Sequence, residues 1–304
     1  MGATRAATAI VVVAVGLAAC GPTETPSTVT DDETITVASY DFDESELIGD
    51  LYTGALRSAG LEVRHIRRVG AREVVLPALE RGLIEVVPEY AGSAVAFLGG
   101  EPSSDPASSH ETLRLLLGQR GIDALRAAPA QSRNGLVVTS QTAVELALHT
   151  ISDLEPVASQ MTLGGPPDCP DRDLCLPGFT STYGLQFASF LPLDSGGPIT
   201  AEAVERGTVD VGVLFTSDGS LSQHDLVLLR DDRRLQPAEN VTPLVRRDTM
   251  ERFGAEMVDV LGALSSELTT EELRTLNADV RTGTPPRVVA AGWLEQHGFA
   301  DPDG

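Results

Sequence analysis

Residues able to do covalent chemistry are sparse in this chain, and their spacing sets up no familiar reaction. The five histidines, His65, His110, His149, His224 and His297, stand in unrelated contexts and form no sequence-visible partnership with a nucleophile. There is no G-x-S-x-G elbow, no H-E-x-x-H, no P-loop and no G-x-G-x-x-G behind the first strand. Metal-ligand spacing is missing too, so neither an enzyme, a metal site nor a cofactor is expected. What remains is the chemistry of recognition. The block RGLIEVVPEYAGS at 81–93 reads as a helix end, a short strand, and Pro88-Glu89-Tyr90 leading into another helix. A tyrosine at the C-terminal edge of a parallel strand sits where open α/β sheets bind ligands. Taken alone, Tyr90 fits a core position as well as a ligand contact. Arg72 opens a helix directly after a strand, a place where cleft residues also collect.

The elements that must hold these side chains follow from hydrophobic period. Ile35–Ser39 is a buried-strand run, and Leu47, Ile48, Leu51, Tyr52, Ala55 and Leu56 recur at helical spacing before Gly60. A strand near 61–69, a helix over 72–81 and an apolar run at 83–87 complete a β-α-β-α-β rhythm, the signature of a parallel sheet. After a Gly/Pro/Ser-rich break at 99–109, a helix covers about 111–119. A second set then begins, with strands at 134–139, 161–163, 208–215 and 226–229 and a helix at 201–206. From Arg246 onward the text is helical, over 250–264, 270–280 and 287–297, with helix-start chemistry around Ser266, Thr269, Thr270, Glu271 and Glu272.

Length and charge narrow the job further. The 304 residues suit two lobes better than one small core. All 22 basic residues are arginine, and 44 acidic residues bring the net charge to -22, a balance that repels nucleic acid and anionic lipid. The acids are spread along the chain, as on a solvated surface. Residues 6–17 form an apolar run behind Arg5, too short to span a membrane but suited to a secretory signal. It closes on Leu17-Ala18-Ala19-Cys20, which resembles a bacterial lipobox. Cleavage after residue 19 would leave Cys20 lipidated and residues 20–33 as a tether, placing the chain on the extracytoplasmic face of the cell membrane. In that oxidising setting Cys169 and Cys175 read as a disulfide.

Four stretches together resemble the substrate-binding lipoproteins of the glycine betaine/choline (osmoprotectant) ABC transporters. Ser39-Tyr40-Asp41-Phe42-Asp43-Glu44-Ser45 is similar to that family's S-x-x-F-x-E-Q/S, and Pro88-Glu89-Tyr90-Ala91-Gly92-Ser93 to P-E-Y-x-G-T/S. Phe215-Thr216-Ser217-Asp218-Gly219 resembles Y/F-T-T-D-G, and 237–243 resembles P-P-Y-N-x-x-P. The resemblance implies an α/β, two-lobed periplasmic-binding-protein fold of type II character with the ligand cleft between lobes. It implies lobe one at 34–136 plus 241–304, lobe two at 137–240, and hinge crossings near Leu136-Val137 and Glu239-Asn240. It implies a quaternary-amine solute held in a box of aromatic faces by cation–π attraction. An ABC permease with its ATPase is the implied partner, and a monomer is the default.

Carried onto this chain, the box becomes Tyr90, Asn134, Phe215 and Glu239, with Ser93 beside Tyr90 and with Phe42, Ser45 and Thr216 from the matching motifs; Arg72 is added from its place at a helix start. Four tyrosines have thus become one tyrosine, an amide, a phenylalanine and a carboxylate. Glu239 would replace a ring by direct charge; alternatively the pocket takes a polar or uncharged solute, or the protein has become a lipid-anchored sensor or scaffold. Arg172 aligns with an arginine that meets the ligand carboxylate in some relatives; as a surface residue it would instead pair with Asp168, Asp171 or Asp173. Thr180, Thr182 and Tyr183 would line the second lobe. If Tyr90 meets the ligand, Tyr90→Ala is expected to weaken binding at least about tenfold and leave the melting temperature of the free protein nearly unchanged.

Overall fold

The apolar runs and amphipathic stretches fold into two five-stranded mixed sheets, each covered by helices on both faces. The structure, a computed structural model, describes residues 33–299. The signal-like run, Cys20 and nearly all of the tether lie outside the described residues. In chain order the first lobe runs β1 (Ile35–Ala38), α1 (Asp43–Ser58), β2 (Val63–Ile66), α2 (Arg72–Glu80), β3 (Val86–Tyr90), α3 (Ala91–Phe97), α4 (Pro106–Gly118) and β4 (Ile122–Ala124). The second runs β5 (Asn134–Thr139), α5 (Ser140–Glu145), β6 (Thr162–Gly165), α6 (Leu176–Tyr183), β7 (Ser189–Pro192), α7 (Pro198–Glu205), β8 (Val211–Phe215), α8 (Ser220–Gln223) and β9 (Leu226–Leu228). The chain then returns through β10 (Val241–Arg246) to α9 (Arg247–Glu267), α10 (Thr270–Arg281) and α11 (Pro286–Gln296).

Strand order is β2-β1-β3-β10-β4 in one sheet and β7-β6-β8-β5-β9 in the other. In each, three parallel strands meet an antiparallel fourth, β10 or β5, that enters just after the chain has crossed between lobes. Covering both faces explains why the inner strands β1 and β8 are buried along nearly their whole length, whereas the edge strand β2, Val63-Arg64-His65-Ile66, alternates. One core packs Ile35, Val37, Leu47 and Leu51 against Met257, Leu261 and Trp293, so α9 and α11 close over α1. The opposite face of that sheet gathers Val75, Leu79, Val87, Leu113 and Leu244. The second lobe is built around Leu136, Leu163, Phe179 and Val211.

Two features differ from the sequence expectation. Residues 134–136, assigned above to the first lobe, begin β5 and pair in register with β8 of the second sheet, Asn134 opposite Phe215. The crossing is therefore earlier, at 131–133, where Gln131 bridges Asn240 and the Ser132 N–H donates to the Glu239 carbonyl at 3.2 Å. Secondly, 241–246, to which the sequence pattern assigns no element, is a central strand despite Pro243. Pro243 faces Pro88 across the β3–β10 ladder. Its carbonyl accepts from the Leu125 N–H at 2.9 Å on the far side. The two prolines thus occupy a non-hydrogen-bonded pair, and the ladder between β3 and β10 loses no donor.

Candidate functional site

A cleft of about 500 Å³ opens where the C-terminal ends of the first sheet's strands face the second lobe. The turn after β1, the first turn of α1 and the end of β3 supply Phe42, Glu44 and Tyr90 to one wall, and α2 and α3 supply Arg72 and Ser93. The facing wall is Phe215 with Ser195 and Gly196, while Asn277 and Arg281 of α10 and Asp218 close one end. Phe42 is 43% and Phe215 37% exposed, large apolar rings turned into the cleft rather than into a core. The Phe42 and Tyr90 centroids stand 6.1 Å apart with planes tilted by 32°, and Tyr40 stacks behind Phe42 at 6.1 Å. The site therefore offers aromatic faces from both lobes.

Charges behind these faces are arranged in pairs. Arg72 forks onto the buried Glu89 carboxylate with Nε–Oε2 at 2.9 Å and Nη2–Oε1 at 2.8 Å, and its guanidinium lies 5.5 Å from the Tyr40 ring centre. The Tyr40 hydroxyl also donates to Glu89. Arg281 Nη2 meets Asp218 Oδ1 at 3.1 Å. The Tyr90 hydroxyl donates to Glu44 Oε1 at 2.6 Å, and Asn277 Nδ2 donates to Glu44 Oε2 at 2.6 Å. Burial first, and then the Glu44 charge, raise the Tyr90 phenol well above its ordinary value, so it stays a neutral donor.

Glu239 stands behind the wall, not on it. Both carboxylate oxygens accept from Ser93, from its N–H at 3.0 Å and its hydroxyl at 2.8 Å. Burial pushes its carboxyl up to about 7, and the Glu89 charge adds to the shift while the two Ser93 bonds and Arg72 oppose it. The expected box residues thus separate. Tyr90, Ser93, Phe215, Phe42 and Arg72 line the cleft, and Glu239 supports Ser93 from behind. Asn134 lies beside Phe215 in an adjoining pocket of about 600 Å³ that shares Ser195 and Phe215 with the cleft. Arg172 lines that second pocket too, but it is 71% exposed and its Nε holds Asp168 Oδ2 at 2.8 Å.

Ser45 and Thr216 do not reach the cleft. Ser45 is buried, and its hydroxyl accepts from the Tyr40 N–H at 2.9 Å, fixing the turn that presents Phe42. Thr216 Oγ1 accepts from the Arg133 N–H at 3.0 Å and donates to the Gln131 carbonyl at 3.1 Å, tying β8 to the crossing segment. Tyr183 is buried, donates to Asp231 and is overlain by Arg233; Thr180 donates to the Leu185 carbonyl. These are packing roles. Cys169 and Cys175 are joined in a disulfide at the foot of the second pocket. Glu44 and Asp218 stood inside quoted motifs without being singled out, and Asn277 and Arg281 carried no sequence signal because only the tertiary fold brings α10 to the cleft.

A serine–histidine–aspartate chain is also present. Ser39 Oγ lies 3.1 Å from His65 Nε2, and His65 Nδ1 lies 2.8 Å from Asp50 Oδ1. Ser39 has no exposed surface. A Cβ added at Gly49 would fall 2.5 Å from His65 Nε2, so the helix backbone covers the ring. The chain pins α1 to β2.

Comparison with known proteins decides the family. Residues 33–296 match the model of the substrate-binding domain of the ABC-type glycine betaine transport system. The chain belongs to this family. This binding protein is 24% identical over 283 residues to the glycine-betaine-binding protein of Pseudomonas aeruginosa, covering 88% of this chain and 89% of that one. It is 23% identical to the carnitine transport binding protein OpuCC of Listeria monocytogenes, covering 88% of each. A crystal structure of a glycine betaine/carnitine/choline ABC transporter superposes with a TM-score of 0.82 at 20% identity, covering 87% of this chain and 99% of that one. Apo YehZ of Escherichia coli superposes with a TM-score of 0.76 at 24% identity, covering 88% and 99%. These likenesses establish the α/β two-lobed fold of periplasmic binding proteins. The protein is an extracytoplasmic solute-binding component of an ABC importer. No helix among the described residues is long and apolar enough to cross a membrane.

Proposed function

We propose that this binding protein captures a quaternary-amine solute between Phe42, Tyr90 and Phe215 and delivers it to its permease by lobe closure. The observation that carries the reading is the pair of exposed rings, Phe42 and Phe215, facing one cleft from opposite lobes beside the Glu44 carboxylate. A trimethylammonium group matches such a site, since each ring face attracts a desolvated cation by about 0.5–2 kcal/mol. Ser93, Arg72 and Glu239 serve as its support, with Asn134 and Arg172 bordering the adjoining pocket. The relatives that bind glycine betaine and carnitine favour the same class of cargo. The lipid anchor at Cys20 and a monomeric state belong to this reading. Catalysis does not, because the Ser39–His65–Asp50 chain is sealed within the first lobe.

Calorimetric titration with glycine betaine, choline, carnitine, proline betaine, proline and uncharged polyols tests the reading. Binding confined to the quaternary amines is expected. Silence across them, or a response only to polyols, would overturn it. The informative variant is Phe215→Ala rather than Tyr90→Ala. Tyr90 is only 8% exposed and packs into the first-lobe core. Its truncation should cost stability of about 3–5 kcal/mol as well as affinity, against the unchanged melting temperature expected from sequence. Phe215→Ala should lower affinity at least about tenfold with little loss of stability.

A further inference from the structure

The net charge of the solute is written in the pairing of the cleft's own ionic groups. Arg72 is committed to Glu89, which has no exposed surface, and Arg281 to the buried Asp218. Each guanidinium keeps further N–H donors, but its positive charge is already balanced by a buried carboxylate, and pulling it off that partner onto a ligand would strand the carboxylate. Asp43 is held by Arg68. Arg172 pairs with Asp168 outside the cleft. Among the described residues, then, no arginine lining the cleft lacks a carboxylate of the chain's own.

Two backbone donors near the facing wall, the Ile199 and Thr200 N–H groups, are committed as well. The N-terminus of α7 follows Ser195 and Gly196, and helix N-termini are ready-made anion sites. Here Asp194 fills that place, accepting from the Ile199 N–H at 3.0 Å and the Thr200 N–H at 2.9 Å. A solute carboxylate would meet an acid already seated there.

Glu44 is the exception to this balance. Its partners are the Tyr90 hydroxyl and the Asn277 amide, both neutral, so its charge is oriented but not neutralised. It lines the cleft two residues from Phe42 and directly against Tyr90. Placed there, a carboxylate attracts a cation lying on the two ring faces and repels an anionic tail.

We propose that the cleft selects a quaternary ammonium monocation without a carboxylate, of the choline type, over zwitterions such as glycine betaine, and that Glu44 is the specificity-determining residue. This rests on the solute-receptor reading above and narrows it. Glu44 orders Tyr90 and Asn277 in the same act, so a single side chain reads charge and fixes the box.

The test is calorimetry on the purified protein with choline, glycine betaine and 3,3-dimethyl-1-butanol, the uncharged carbon isostere of choline. Choline is expected to bind at least about tenfold more tightly than either of the others. Glu44→Gln, which keeps the size and an acceptor for Tyr90, should weaken choline at least about tenfold and bring it close to glycine betaine. Glu44→Asp retains the charge and should keep the preference for choline. A purely structural role for Glu44 would weaken all ligands together and leave their ratio unchanged. Wild-type protein that binds glycine betaine as tightly as choline overturns the proposal, as does an unchanged ratio in Glu44→Gln. The wild-type ratio decides even if that variant fails to fold. Absence of binding by both quaternary amines would instead overturn the receptor reading and this inference with it.

Discussion

Glu239 shows how a side chain can matter to a site without touching its contents. The resemblance put it in the aromatic box, and spacing alone gave no means to tell a wall residue from one just behind it. Its carboxylate is almost wholly buried, and burial, helped by the Glu89 charge, lifts its carboxyl from the ordinary 4.5 to about 7 although two bonds from Ser93 oppose the rise. The folded protein then keeps a proton that the unfolded chain has released. This contribution to stability is fully present below about pH 4.5 and is lost as pH rises through about 7, by an amount of order 3 kcal/mol. In urea unfolding at pH 5 and pH 8, the wild type should lose stability that Glu239→Gln retains. Parallel losses in both proteins would assign the pH dependence to other groups. At this scale Tyr90, Ser93, Phe215 and Phe42 were legible because each belongs to a short motif with its own backbone role. Glu44 stood within one such motif without a role assigned. Its significance depends on Asn277, which lies 233 residues away in sequence.

Among the elements, helices announced themselves by period, and α10 by its capping box, Thr269 with Glu272. Shorter pieces did not. β4 has three residues, β7 ends on Pro192, and β10 carries Pro243 in a central position, a residue that argues against such a strand until Pro88 is seen opposite. The start of α4 was hidden in a Gly/Pro/Ser-rich stretch, although Asp105 caps it by accepting from the Ser108 N–H at 2.8 Å and Pro106 sits at its first turn. α10 matters most for function. It buries Leu273 and Leu276 in the first-lobe core, yet it also reaches the second lobe through Arg274 to the Thr216 carbonyl and Asn277 to the Ser217 carbonyl. Gly219 permits that approach. A Cβ there would stand 2.4 Å from Ala278 N and 2.6 Å from its Cα, backbone atoms with nowhere to go, although its φ of -61° suits any residue. Gly219→Ala should therefore force the lobes apart at this end, disfavouring the close approach of α8 and α10 by about 1–3 kcal/mol. Affinity for the quaternary amine is expected to fall about tenfold with the melting temperature of the free protein little changed. The reverse, a lower melting temperature at unchanged affinity, would mean that α10 travels with the second lobe.

For the molecule as a whole, two lobes were legible because two α/β rhythms follow one another, but the hinge was displaced by a few residues. Sequence reading put the first crossing inside β5, since nothing in Asn134-Gly135-Leu136 says which sheet it joins; register with β8 decides that. The crossing segments are bonded to each other by the Gln131–Asn240 bridge and from Ser132 to the Glu239 carbonyl, and Ser132 meets Ser217 at 2.7 Å. Such paired strands resist sliding but allow rotation by small changes in φ and ψ, so the lobes should swing about this axis as one hinge. A solute touching Phe42 and Tyr90 on one side and Phe215 on the other gains its full contact only when the lobes are together. Its binding energy must therefore favour the closed form in proportion to that difference. Small-angle scattering with saturating choline should show a smaller radius of gyration than the free protein, and Gly219→Ala should blunt the change. At about a hundred times its dissociation constant the ligand also adds about 2.7 kcal/mol to stability, visible as a raised melting temperature. Ligand that raises the melting temperature without shrinking the molecule would separate binding from closure. The protein would then hold its solute without presenting the closed shape that a permease recognises, and the sensor or scaffold role would replace delivery.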